Sequence, residues 1–72
     1  MRSYSANAKA RWKTRTARDL GLHRINGVQR ALLNQLWDIQ RGLDAEPDPD
    51  KRQGWQRAYV NTVKVLRALR HR

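Results

Sequence analysis

Two prolines separated by a single residue, Pro47 and Pro49, constrain this chain more than any other feature. Proline before a helix is complete removes a backbone donor, and Pro47 pushes Glu46 out of the helical region. No helix can therefore run through residues 44–50, where Asp44, Glu46, Asp48 and Asp50 alternate with other residues. On either side of this break the apolar residues recur at helical spacing. Before it, Leu22, Ile25, Leu32, Leu36, Ile39 and Leu43 follow three- and four-residue steps, flanked by Val28 and Leu33. Gln29 stands where the pattern asks for an apolar residue. After the break, Trp55, Tyr59, Thr62, Leu66 and Leu69 line one side, with Ala58, Val63 and Val65 beside them. The pattern predicts an all-α fold: an antiparallel helical hairpin over residues 19–72, with helices near 20–42 and 49–70, each ~30 Å long.

The ends of these elements carry recognisable signals. Asp19 or Asn26 suits the start of the first helix, and Asn26 with Gln29 has capping-box spacing. Gly42 marks its expected end. Asp48 followed by Pro49 reads as the cap and first residue of the second helix, with Asp50 on the positive end of its dipole. Arg67, Arg70, His71 and Arg72 suit the opposite end. Residues 1–18 form a basic N-terminal arm or a short third helix that Ser5 would cap.

A two-helix hairpin buries little. The chain has 72 residues and no cysteine, so no disulfide reinforces it. A third helix, a second copy of the chain in a homodimer, or a partner surface must cover the exposed half of the apolar stripes.

Charge is the second constraint. Sixteen Lys and Arg face six Asp and Glu, a formal net charge of +10, and twelve of the sixteen are Arg. Residues 1–18 hold six basic groups and no acid. Residues 19–46 are close to neutral, and residues 47–72 hold seven basic groups against Asp48 and Asp50. Such a chain repels itself when compact, and a polyanion or an acidic protein surface relieves the repulsion. In the arm, Arg11, Lys13, Arg15 and Arg18 are the expected phosphate contacts. In the second helix, Arg57, Lys64 and His71 recur every seven residues with Arg67 at the border, a basic ridge opposite the apolar stripe.

The tryptophans divide. Trp37 and Trp55 sit in or beside the stripes and are expected as core or interface anchors. Trp12 lies among Arg11, Lys13 and Arg15, where it either stacks on an unpaired base or pins the arm to the hairpin.

Other function classes find little support. His23 and His71 have no partner suited to nucleophilic or acid–base work, so no enzyme, small-molecule substrate or cofactor is expected. The acidic break lacks the glycine and terminal glutamate of a calcium loop, so no metal is expected. No run of about 18 apolar residues is present to span a membrane, and the basic N-terminal residues frame no secretory apolar segment. A cytoplasmic location is expected.

Two resemblances are carried by particular residues. Ala17, Leu20, Gly21, Leu22, His23, Arg24 and Val28 resemble the turn of a helix-turn-helix DNA-binding domain, with Val28 one residue beyond the usual spacing. The layout with Pro49, Arg57, Val65, Leu66 and Arg67 is similar to that of the small helical-hairpin ribosomal protein of the large subunit. Both imply a nucleic-acid partner, and the first places DNA ahead of RNA. The expected function is nucleic-acid binding through the arm and the ridge. The alternative is a protein-interaction module that inhibits or adapts a larger partner through its apolar stripes.

Overall fold

A computed structural model describes residues 6–69 of the chain. The expected Ser5 cap and the terminal Arg70, His71 and Arg72 lie outside the described residues. The fold is all-α, with three helices in chain order: α1 (Ala6–Asp19), α2 (Gly27–Ala45) and α3 (Pro49–Leu69). α2 is central. It packs along α3 over most of its length and against α1 more briefly, while α1 and α3 make no close backbone contact among the described residues but share one core cluster through Ala17 and Leu66. Gly42 meets Trp55 close to the α2–α3 connection, and Gln29 and Leu69 line one cavity at the far end, so α2 and α3 run in opposite directions. No described helix is long and apolar enough to cross a membrane.

The N-terminal segment is the third helix. Four alanines and five Lys or Arg in fourteen residues favour helix over any other local state. The helix stops because Gly21 adopts a left-handed φ of 75°. Around it the Leu22 amide donates to the Ala17 carbonyl at 2.9 Å, and the Gly21 amide donates to the Arg18 carbonyl at 3.0 Å. These two bonds are the Schellman arrangement, which normally brings the residue after the glycine onto the last helical turn. Leu22 and Ala17 are accordingly both buried in the core cluster.

This stop corrects the expected start of the first long helix, near residue 20. α2 begins seven residues later, because residues 20–26 are a connection shaped by Gly21 and Asn26. Asp19, one of the two expected caps, is instead the last residue of α1. Asn26 is the cap: its Oδ1 accepts from the Gln29 amide at 2.8 Å, and the Gln29 Oε1 accepts from the Asn26 amide at 3.0 Å. The reciprocal pair explains why a buried polar residue interrupts the apolar stripe. Gln29 is only 3% exposed, and its side-chain carbonyl satisfies a backbone donor.

At its other end α2 passes Gly42 and continues to Ala45, so Gly42 is an interior helical residue rather than the stop. A Cβ at Gly42 would lie 2.7 Å from the Trp55 ring. The glycine is there because the indole lies directly on the α2 backbone. Glu46 before Pro47 ends the helix in extended geometry. The Arg52 Nη1 donates to the Leu43 carbonyl at 2.6 Å and to the Glu46 carbonyl at 3.3 Å, satisfying orphan acceptors of the last turn. α3 starts as expected: the Asp48 Oδ1 accepts from the Asp50 amide at 3.0 Å, with Pro49 as the first helical residue.

The core is small and spans all three helices. Leu33 and Leu36 from α2 and Leu66 from α3 are essentially inaccessible, and Ala17, Leu20 and Leu22 complete the cluster. Trp12, Leu32, Tyr59 and Val63 pack against it. The need for extra cover is thus met within the chain, by α1 and the connection after it. Burial pushes the Tyr59 phenol above its usual pKa of 10.0.

Two outcomes test this architecture. Gly21→Ala is expected to destabilise the fold by about 1–2 kcal/mol, because an alanine in the left-handed region is strained. Gly42→Ala is expected to cost about 1–3 kcal/mol through overpacking against Trp55. Urea unfolding followed by circular dichroism measures both, and Gly54→Ala, at an open helical position, is the control that should not destabilise. The second outcome concerns alkaline pH. With the folded-state phenol of Tyr59 raised, the folded chain retains a proton that the unfolded chain loses. Its contribution is fully present below pH ~10 and is lost as pH rises through the folded pKa. Spectrophotometric titration of a Tyr4→Phe variant should show the remaining phenol ionising later than free tyrosine.

Candidate nucleic-acid interface

The helices sort the charge. α1 carries five basic residues and one acid, α2 carries two of each, and α3 carries five basic residues and one acid. The neutral helix is the central one. On α1, Arg11, Arg15 and Arg18 fall at i, i+4 and i+7 and are all exposed, forming one row ~10 Å long. The opposite side of α1, with half-buried Trp12 and Thr16 and buried Ala17, faces the rest of the protein. The row therefore points away from α2.

Lys13, the fourth expected contact of the arm, sits elsewhere. It is half-buried on the inner side, and its Nζ donates to the Asn34 Oδ1 on α2 at 3.0 Å. The amide is neutral, so the bond fixes the ammonium without cancelling its charge. Beside it, Ala10, Lys13 and Thr14 face Arg30 and Leu33 across a cleft of 190 Å³. Arg30 had no distinguishing mark in the sequence, where it reads as one more solvent-facing charge. Only the crossing of α1 over α2 brings it near Lys13.

On α3, Arg57, Lys64 and Arg67 are exposed on the side opposite buried Thr62 and Leu66. They span three helical turns, with exposed Val60 between them. Arg52 is on the same helix but is held by α2 carbonyl groups, so it serves the fold.

The tryptophans are engaged within the chain. Trp12 and Trp37 meet edge to face, with ring centroids 5.5 Å apart and planes at 63°. Of the two roles open to Trp12, this contact is the pinning one: the ring joins α1 to α2. Trp37 is 6% exposed, and Trp55 lies on Gly42 with its Nε1 donating to the Glu46 Oε1 at 3.5 Å. An external interface centred on Trp37 and Trp55 would have to open these contacts. The large apolar side chains that face outward among the described residues include Val28, Val60 and Val65, at 60%, 50% and 47% exposure, and Ile25, expected in the stripe, at 37%. Val28 and Val65 were expected beside the core. The later start of α2 leaves Val28 in its first turn, beyond the reach of the cluster.

The acidic break is accounted for by local bonds. Asp48 caps α3, Glu46 accepts from the Asp48 amide and from Trp55, and Asp44 accepts from the Gln40 side chain. Among the described residues no cluster of three His, Cys, Asp or Glu is arranged to hold a metal. His23 is exposed on the connection between α1 and α2. That connection spans seven residues, longer than the tight turn that the helix-turn-helix resemblance implies.

Trp12→Ala is expected to cost about 2 kcal/mol, roughly half the value for a fully buried tryptophan, because the ring is half-buried. The near-ultraviolet dichroism of the Trp12–Trp37 pair should disappear with it. Loss of that signal without loss of stability would mean that α1 docks through other contacts. No protein-family model matches the sequence, and no curated protein or solved structure matches it.

Proposed function

We propose that the protein binds nucleic acid, with duplex DNA as its first target, by neutralising phosphates with the α1 row and the α3 ridge. One observation carries this reading: the cations are segregated into outward rows on the two outer helices, while the helix between them is neutral. Six of the seven expected contact residues, Arg11, Arg15, Arg18, Arg57, Lys64 and Arg67, are exposed. Arginine dominates both rows, and its planar fork matches phosphate geometry. DNA is preferred because the B-form major groove admits an exposed helix, whereas the deep, narrow groove of A-form RNA does not. Lys13 joins the α1 row as a secondary contact at the edge of its cleft.

A protein partner is the second reading, and the exposed Val28 and Val65 favour it. On that reading the outward valines and not the tryptophans are the contacts, and the charge serves to speed encounter with an acidic surface.

A salt titration separates the two. If the three cations of a row meet phosphate, log affinity of that row for duplex DNA falls against log salt with a slope of about −3. Replacing Arg11, Arg15 and Arg18 by Gln, or Arg57, Lys64 and Arg67 by Gln, is expected to remove one of the two rows, and replacing all six is expected to abolish binding. Val28→Ser with Val65→Ser is expected to leave the slope unchanged. Parallel titrations with single-stranded DNA and RNA establish the preference. Absence of binding to all three near ~50 mM salt, where phosphate contacts are strong, eliminates the nucleic-acid reading.

A further inference from the structure

We infer that the protein bridges two duplex DNA segments, one on the α1 row and one on the α3 ridge. This inference rests on the DNA-binding reading. It follows from where the two rows point. Trp12, Lys13 and Ala17 turn toward α2 or the core, so Arg11, Arg15 and Arg18 face outward from α1. Thr62 and Leu66 turn inward, so Arg57, Lys64 and Arg67 face outward from α3. The helices carrying the rows both pack on α2 and make no close backbone contact with each other. The rows consequently occupy two flanks of the molecule, with the neutral helix between them.

Distance and charge make the rows independent. With helix diameters of ~10 Å and a helix between them, the rows are on the order of 20 Å apart. The Debye length at physiological ionic strength is ~8 Å, so neither row feels most of the other's field. A duplex carries one charge per ~1.7 Å of axis, about six charges along the ~10 Å α1 row. Three cations neutralise about half of these. A duplex seated on one row leaves the other row with its full charge, its counterions and the same arginine-rich chemistry. A straight rod cannot lie against both flanks at once, so the free row recruits a second segment.

The test uses the full chain and two pools of duplexes of about 20 base pairs, ~68 Å long at 3.4 Å per pair, one with a donor and one with an acceptor dye. These exceed the protein's longest dimension of 37 Å. Energy transfer should rise to a maximum near one protein per two duplexes and fall at excess protein, when each duplex is separately occupied. The α1 variant Arg11→Gln, Arg15→Gln, Arg18→Gln and the α3 variant Arg57→Gln, Lys64→Gln, Arg67→Gln should each still bind one duplex, shown by anisotropy, while energy transfer falls to background. Replacing the three α1 arginines with Lys should retain transfer, which guards against a simple folding defect. Wild-type binding without transfer at any ratio overturns the bridging inference and leaves DNA binding intact. Transfer that survives in either Gln variant also overturns it, because a dimer offering one row per copy is then the bridge. Absence of anisotropy change for the wild-type chain removes both readings together.

Discussion

The contact of α1 and its following connection with the α2–α3 pair is the interaction on which the rest of the structure depends. Leu33, Leu36 and Leu66 reach almost complete burial in a cluster that also requires Ala17, Leu20 and Leu22. Two helices of this size cannot enclose an apolar seam, since each leaves roughly half its stripe facing water. Gly21 solves the problem locally. Its left-handed backbone ends α1 and turns the chain so that Leu22 is buried with the last turn of α1. Trp12 on Trp37 then fixes the middle of the helix.

Docking α1 also determines the charge distribution. A free basic arm would present its cations in any direction. A docked amphipathic helix separates them, with Lys13 against Asn34 on one side and Arg11, Arg15 and Arg18 in a row on the other. The same packing that completes the core thus creates an ordered cationic surface. Ordering before binding removes part of the entropic cost that a flexible arm would meet on contact with a polyanion. The cohesion of a small core has to exceed the mutual repulsion of a +10 chain, and distributing the charge over two flanks of the molecule weakens that repulsion through screening.

Much of the fold was legible because its signals are local. Pro47 and Pro49 broke the helix where expected, Asp48 capped α3, and the Asn26–Gln29 pair had capping-box spacing. The errors arose where one residue type has two uses. Gly21 and Gly42 are both small, yet one ends a helix through its backbone and the other receives an indole against it. Leu22 and Ile25 continued the helical spacing by coincidence, and Leu22 is buried from a non-helical connection. Of the candidate contacts, the spacing of Arg11, Arg15 and Arg18 already defined a row once the segment was helical. The inward position of Lys13 and its proximity to Arg30 across the cleft did not follow from any spacing.

The sequence by itself determined the all-α class, the break around Pro47, the Asn26 and Asp48 caps and the segregation of charge into two basic blocks around a neutral middle. Each of these depends on backbone propensity or on composition within a few residues. Tertiary structure decided that the N-terminal block docks, that the three tryptophans bind the helices to one another, and that each cationic row lies on the side of its helix turned from the core. Those outcomes depend on which side of α2 each neighbour packs. That choice is set by long-range contacts such as Trp12 with Trp37 and Gly42 with Trp55, whose partners lie too far apart in the chain for periodicity to pair them.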